Sequence, residues 1–209
     1  MKHVYEFTNQ RKLTKAEFLR WFQKKVLYTI RKFQMIKSGD IIAYENKGDF
    51  RSVVLEDVLK MFSGKADVEI VKLSTSSFPP IHPNKSASLS KQLTKRAVLS
   101  TTDTESDKLV HELIKGNVKN LKELGPVVGK IIKPLYLFLD KEVLLYAKLK
   151  KLKYTLLSVP QGGASTSSRP QSTELRGKKD KISNFIDDLE QKHPEIKHAI
   201  INSYLEIFK

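Results

Sequence analysis

Five histidines and no cysteine narrow the chemistry open to this chain. Without a thiol there can be no disulfide, no thiolate zinc site, no iron–sulfur cluster on protein sulfur and no persulfide intermediate. Of His3, His82, His111, His193 and His198, only the last two lie close in sequence. They straddle a helix start with no carboxylate-rich loop around them, so the spacing predicts no metal site. Walker-type GxxxxGK[ST], HExxH and GxSxG motifs are all missing.

What the side chains do offer is positive charge. Lys and Arg outnumber Asp and Glu by 38 to 23, a net charge of +15 with a pI of about 9.8. Such an excess suits a polyanion, because neutralising phosphates releases condensed counterions. A uniformly basic surface is the plainer alternative. One basic run is in residues 14–34, where Arg20, Lys24 and Arg31 fall on one helical face and Lys25 and Lys32 beside them. All five are candidate RNA contacts, with Lys178 and Lys179 as further ones near the C-terminal end.

The elements that must hold these residues follow from periodicity. Phe18, Phe22, Val26, Ile30 and Phe33 recur at helical spacing, which makes residues 14–34 an amphipathic helix. Thr14-Lys15-Ala16-Glu17 is a capping box at its start. Ile41-Ile42-Ala43-Tyr44 reads as a buried strand, Ser52–Phe62 as a helix stopped at Gly64, and Val68–Leu73 as a second strand. Strand, helix, strand is a βαβ unit, so the expected class is α/β, a parallel sheet with crossover helices. Residues 74–94 and 161–177 are polar, Ser-rich loops. Ala97-Val98-Leu99 is a third strand. Thr102-Asp103-Thr104-Glu105 caps the next helix, Lys141–Lys151 follows with Asp140 as its cap, and Lys178–Phe208 is helical around a break at His193-Pro194.

Several of these segments, in order, resemble one family. Leu13–Phe18 with Lys24-Lys25-Val26 and Thr29–Lys32 is similar to the start of the TtuA-type tRNA 2-thiouridine synthetases, members of the N-type ATP pyrophosphatase or PP-loop group. Asp107–Asn117, Ile132-Lys133-Pro134-Leu135 with Lys141-Glu142-Val143 and Tyr146-Ala147, and the tail from Asn184-Phe185 to Ser203 continue the likeness over about three quarters of the chain. The resemblance implies a Rossmann-like fold, ATP-dependent activation of a tRNA uridine, and zinc and cluster ligands on cysteines.

The functional residues of that pattern are replaced. The zinc-binding Cys and His at the start stand as Thr14 and Glu17, which exchanges a metal staple for a cap worth about 1–2 kcal/mol. The phosphate loop, Ser-Gly-Gly-Lys-Asp-Ser in the family, stands as Glu45-Asn46-Lys47-Gly48-Asp49-Phe50-Arg51-Ser52. Lys47, Gly48, Asp49, Arg51 and Ser52 remain as the candidate nucleotide site, one glycine short and with Glu45 beside it. Of the second nucleotide signature only Asp103 is kept, the one catalytic candidate, and a first-turn acid needs no catalytic explanation. The C-terminal zinc segment reads Ser158-Val159-Pro160-Gln161.

The sequence therefore favours a pseudoenzyme of the tRNA 2-thiolation family. It would bind tRNA, or pair with an active thiolase, as a homodimer or heterodimer, with no zinc or iron–sulfur cluster. An ATP–Mg-binding, adenylating enzyme with sulfur supplied in trans is one alternative; a protein-interaction module without RNA is another. The expected layout is a basic helix over 1–37, a PP-loop-like core over 38–157, a linker over 158–177 and a helical tail over 178–209. No apolar run has the length of a membrane span and the start lacks a signal-peptide stretch, so the expected location is the cytoplasm.

Overall fold

The computed structural model describes residues 2–63, 67–73, 93–155 and 181–208. Gly64, His82, the 158–177 linker, Lys178 and Lys179 lie outside the described residues. No described helix is long and apolar enough to cross a membrane.

Two short antiparallel strands open the chain, β1 (His3–Glu6) and β2 (Lys12–Thr14), joined through a tight turn with Gln10 in the left-handed region. Sequence periodicity did not show this hairpin, since strands of four and three residues carry too little alternation to register. Helix α1 (Lys15–Lys32) follows directly. Its capping box forms as expected: the Thr14 amide and hydroxyl both donate to the Glu17 carboxylate at 2.8 Å.

The core is a sheet of five strands among the described residues: β3 (Ile41–Glu45), β4 (Glu69–Leu73), β5 (Lys95–Ala97), β6 (Val127–Val128) and β7 (Ile131–Ile132). Their spatial order is β4-β3-β5-β7-β6, parallel except for the β6–β7 hairpin at one edge. Ile42, Ala43 and Tyr44 are all buried, although successive side chains point to opposite faces. A central parallel strand is covered on both faces and so reads as an unbroken apolar run.

Helix α2 (Phe50–Lys60) crosses from β3 to β4, and α3 (Thr102–Ile114) follows β5. A short α4 (Val118–Leu121) and a 3₁₀ turn lead to the hairpin, and α5 (Asp140–Leu149) follows it. The expected capping pattern shifts by one residue in two helices. Thr101, not Thr102, caps α3, its amide donating to Thr104 Oγ1 at 2.9 Å. Asp140 is the first residue of α5 rather than its cap; Leu139 is the cap, its amide donating to Glu142 at 3.0 Å. In each case the chain turns where a side-chain acceptor three residues ahead reaches the cap amide. The tail is α6 (Lys181–Lys192) and α7 (Ile196–Ile207), split at Pro194, and Tyr204 of α7 packs with Leu109 of α3 and Leu121 of α4.

An aromatic stack fixes α1. Phe22 lies 4.0 Å from the Tyr146 ring and 4.4 Å from Phe138, while Tyr5 and Trp21 stack at 5.7 Å. Phe18, Phe22, Val26 and Ile30 thus turn inward with the rest of the core, and the opposite arc of α1 is left to solvent.

Candidate functional site: a filled crevice and a basic helix

In an open α/β sheet the ligand crevice lies beyond the carboxyl ends of the strands, where strand order reverses. Here β3 has β4 on one side and β5 on the other, so the crevice opens between the segments after Glu45 and after Ala97. The β3–α2 loop enters it with Lys47, Gly48, Asp49, Arg51 and Ser52, and the β5–α3 turn brings Thr101 and Asp103.

Several donors of that loop are already engaged. Asn46 Oδ1 accepts the Gly48 amide at 2.8 Å and the Ser52 hydroxyl at 3.0 Å. Asp49 caps α2 by accepting the Ser52 amide at 2.8 Å, so a carboxylate stands at the positive end of the helix dipole. Gly48 sits at φ +80°, a conformation that favours glycine, with the Thr155 hydroxyl 3.6 Å from where a Cβ would be. The Thr155 amide donates to the Gly48 carbonyl at 2.7 Å, and Tyr154 meets the edge of Phe50, so the strand of chain after α5 lies over the loop. Glu45 is held by Arg96 at 3.0 Å, and the exposed Lys47 amine is 4.0 Å from the same carboxylate.

Around the loop runs a chain of charges that spacing alone did not reveal. Arg51 forms a two-point pair with Asp140 across 89 residues, and this bond holds its guanidinium above its ordinary range. Asp140 also accepts the Thr101 hydroxyl at 2.9 Å. Asp103 accepts the Asp140 amide at 2.6 Å and the Lys197 ammonium at 2.9 Å, and Lys197 reaches Glu190 at 2.6 Å. Asp103 therefore ties α3, α5 and α7 together. Behind it, Glu105 is fully buried against Lys133 at 2.7 Å, with Ser100 donating to it at 2.6 Å and Lys108 at 2.9 Å. These bonds hold the Glu105 carboxyl below its usual range against the opposing effect of burial, while burial pulls Lys133 down.

On α1, Arg20, Lys24, Arg31 and Lys32 are exposed. Tyr28, 56% exposed, lies among them, with the Lys32 amine 5.7 Å above its ring. Lys25 does not share that surface. Its amine turns inward between the Trp21 and Phe138 rings, at 4.8 and 4.6 Å, and pairs with Glu142 at 3.0 Å. Desolvation lowers its pKa, with Glu142 working against the shift. Sequence reasoning grouped Lys25 with Lys24 because both are cations on one helix; the 100° step between neighbours separates them.

The strand order, the parallel core and the crevice define the class: a PP-loop ATPase-like Rossmann fold, as the sequence led us to expect. Among solved structures the chain is similar to the U34-tRNA thiolase NcsA from Methanococcus maripaludis, solved with its [4Fe-4S] cluster. That likeness spans 99% of this chain and 84% of NcsA, at a TM-score of 0.68 and 19% identity. It shows a shared fold. A probable sulfurtransferase from Methanocaldococcus jannaschii is 29% identical over 101 residues, which are 46% of this chain; the match spans about a quarter of that protein, 26%. No family model matches the chain.

The residues present do not fit the cluster of NcsA. Such clusters sit on thiolates, and all 209 positions are free of cysteine. Nor does any group of three or more His, Asp or Glu side chains suited to a metal ion occur among the described residues.

Proposed function

We propose that this chain is a cysteine-free relative of the tRNA thiolases that keeps an RNA-binding surface and no longer performs sulfur transfer. The observation that carries the reading is the pairing of two opposite states in one fold. In the crevice loop the Gly48 and Ser52 amides are taken up by the chain's own Asn46 and Asp49, and the Gly48 carbonyl by the Thr155 amide, whereas Arg20, Lys24, Arg31 and Lys32 project from α1 into solvent. A tRNA is the partner that the likeness to NcsA suggests, and phosphates are what such a row neutralises. Association with a second copy or with an active thiolase is part of the same proposal. The stripe keeps the four exposed cations and drops Lys25.

A residual nucleotide site is the second reading. It is favoured by Lys47, whose side chain is 61% exposed at the mouth of the crevice.

One pair of experiments separates them. Binding of tRNA by fluorescence anisotropy is compared between the protein and its Arg20→Glu/Lys24→Glu/Arg31→Glu variant. The variant is expected to bind at least tenfold more weakly with an unchanged melting temperature; equal affinity would sink the RNA reading. In parallel, millimolar ATP–Mg²⁺ is expected to leave the melting temperature where it is. A rise of several degrees that Lys47→Ala abolishes would restore the enzyme reading.

A further inference from the structure

The row on α1 ends at a cleft of about 1070 Å³. It opens where the C-terminal ends of α1 and α2 come together, below the amino end of β3 and therefore at the opposite end of the sheet from the filled crevice. Its size is just above the range of about 300–1,000 Å³ found for ligand clefts.

The lining has three chemistries in one place. Leu27, Ile30, Ile36, Met61 and Phe62 give it an apolar wall. The carboxamide of Gln34 offers both donors and an acceptor, while that of Gln23 is engaged in part by the Tyr146 hydroxyl. Arg31, Lys37 and Lys60 supply positive charge, and among the described residues no Asp or Glu lines the cleft. Lys60 is committed in part, since Glu56 holds its amine at 2.7 Å. Arg31 and Lys60 also sit in the last turns of their helices, where cations complement the dipole. Lys37 belongs to neither helix and has no such explanation.

An apolar wall with an aromatic ring, an amide group that can meet a base edge and cations for phosphate make up the pattern used for unpaired nucleotides. A duplex is too wide to enter such a cleft, and its bases are stacked on each other. We propose that the cleft takes one unpaired nucleotide of the RNA that α1 follows. The base lies against Phe62 and Met61, its edge meets Gln34, and its phosphate faces Arg31 and Lys37. The inference rests on the RNA reading above and adds to it what kind of RNA is preferred: a helix with an unpaired residue beside it.

The test uses the whole chain and two RNA hairpins with the same stem, one blunt and one with a three-nucleotide single-stranded extension. Anisotropy is read for the wild type, for Phe62→Ala and for Gln34→Gly. The last removes the carboxamide at a residue with φ +48°, which glycine adopts without strain, so a folded protein is assured if Phe62→Ala should lose stability. The wild type is expected to bind the extended hairpin about tenfold more tightly than the blunt one, the size of one base–aromatic stack. Phe62→Ala should lose that preference, Gln34→Gly should weaken it, and both should keep their affinity for the blunt hairpin. Equal wild-type affinity for the two hairpins, or a preference that survives both substitutions, overturns the cleft assignment and leaves the α1 row standing. Binding to neither hairpin overturns the RNA reading itself. Adenosine monophosphate is the second ligand, expected to bind at least a hundredfold more weakly than the extended hairpin. Tighter binding than that RNA would make the cleft a free-nucleotide pocket instead.

Discussion

Single residues here owe their behaviour to partners far away in sequence. Glu105 is fully buried and compensates Lys133, itself 8% exposed. Glu105→Ala leaves an ammonium without its counter-charge and should cost about 3–5 kcal/mol, read as a lowered urea midpoint. Glu105→Gln with Lys133→Met removes both charges together and should cost less than the single change, because no orphan charge remains. Glu56 gives a pH signature. Bonds from Lys60, Asn46 and Lys72 outweigh its burial and hold its carboxyl at about 2, against an ordinary 4.5. A depressed carboxyl contributes stability above its unfolded value and loses it as pH falls through its folded one. Stability should therefore drop between pH 4.5 and 2, where the unfolded chain binds more protons. Glu56→Gln should flatten that part of the melting-temperature profile; an unchanged slope would assign the acid sensitivity to Asp40 and Glu105, which are lowered as well.

At the scale of the element, the β3–α2 loop is held by the Asn46 and Asp49 side chains and by the Thr155 amide. Gly48 adopts φ +80° while its amide and carbonyl are both bonded. Gly48→Ala should cost about 1–2 kcal/mol for the left-handed conformation alone, measured by urea denaturation, and should leave RNA binding by α1 unchanged. Helix α1 shows how its two faces are divided. The Phe22 stack on Tyr146 and Phe138 decides which arc is buried, and the charges fall where that arc is not. The amphipathic period was legible in the sequence because an 18-residue helix repeats its pattern five times. The β1–β2 hairpin and the β6–β7 hairpin were not, since strands of two to four residues repeat nothing.

For the molecule as a whole, charge is the property most open to measurement. If Arg20, Lys24, Arg31 and Lys32 neutralise four phosphates, log affinity should fall with log salt at a slope of about −3 to −4. A slope near zero would mean that the +15 charge is compositional. The fold was legible to the extent that the βαβ unit and the ordered family segments could be recognised. The crevice was legible as a position, β3 followed by a loop and a helix, and its departures from the family's glycine-rich pattern were visible as well. What filled it was not. Asn46, Asp49 and Thr155 meet at the loop from residues up to 109 apart, a meeting no window of sequence contains.

By itself the sequence determined composition, charge, the absence of thiol chemistry and the periods of the longer elements, because each of these is a property of residue type or of local spacing. Tertiary structure alone decided which cations are free. Lys24 and Lys25 are neighbours of the same kind, yet packing of α1 against α5 sends Lys25 to Glu142 and leaves Lys24 in solvent. It also decided the partners of Arg51, Asp103 and Asp140, which ion pairs and hydrogen bonds across 37 to 94 residues join into one network. Such pairing depends on where the sheet places its loops, and that placement is set by burial of the core rather than by anything the charged residues themselves encode.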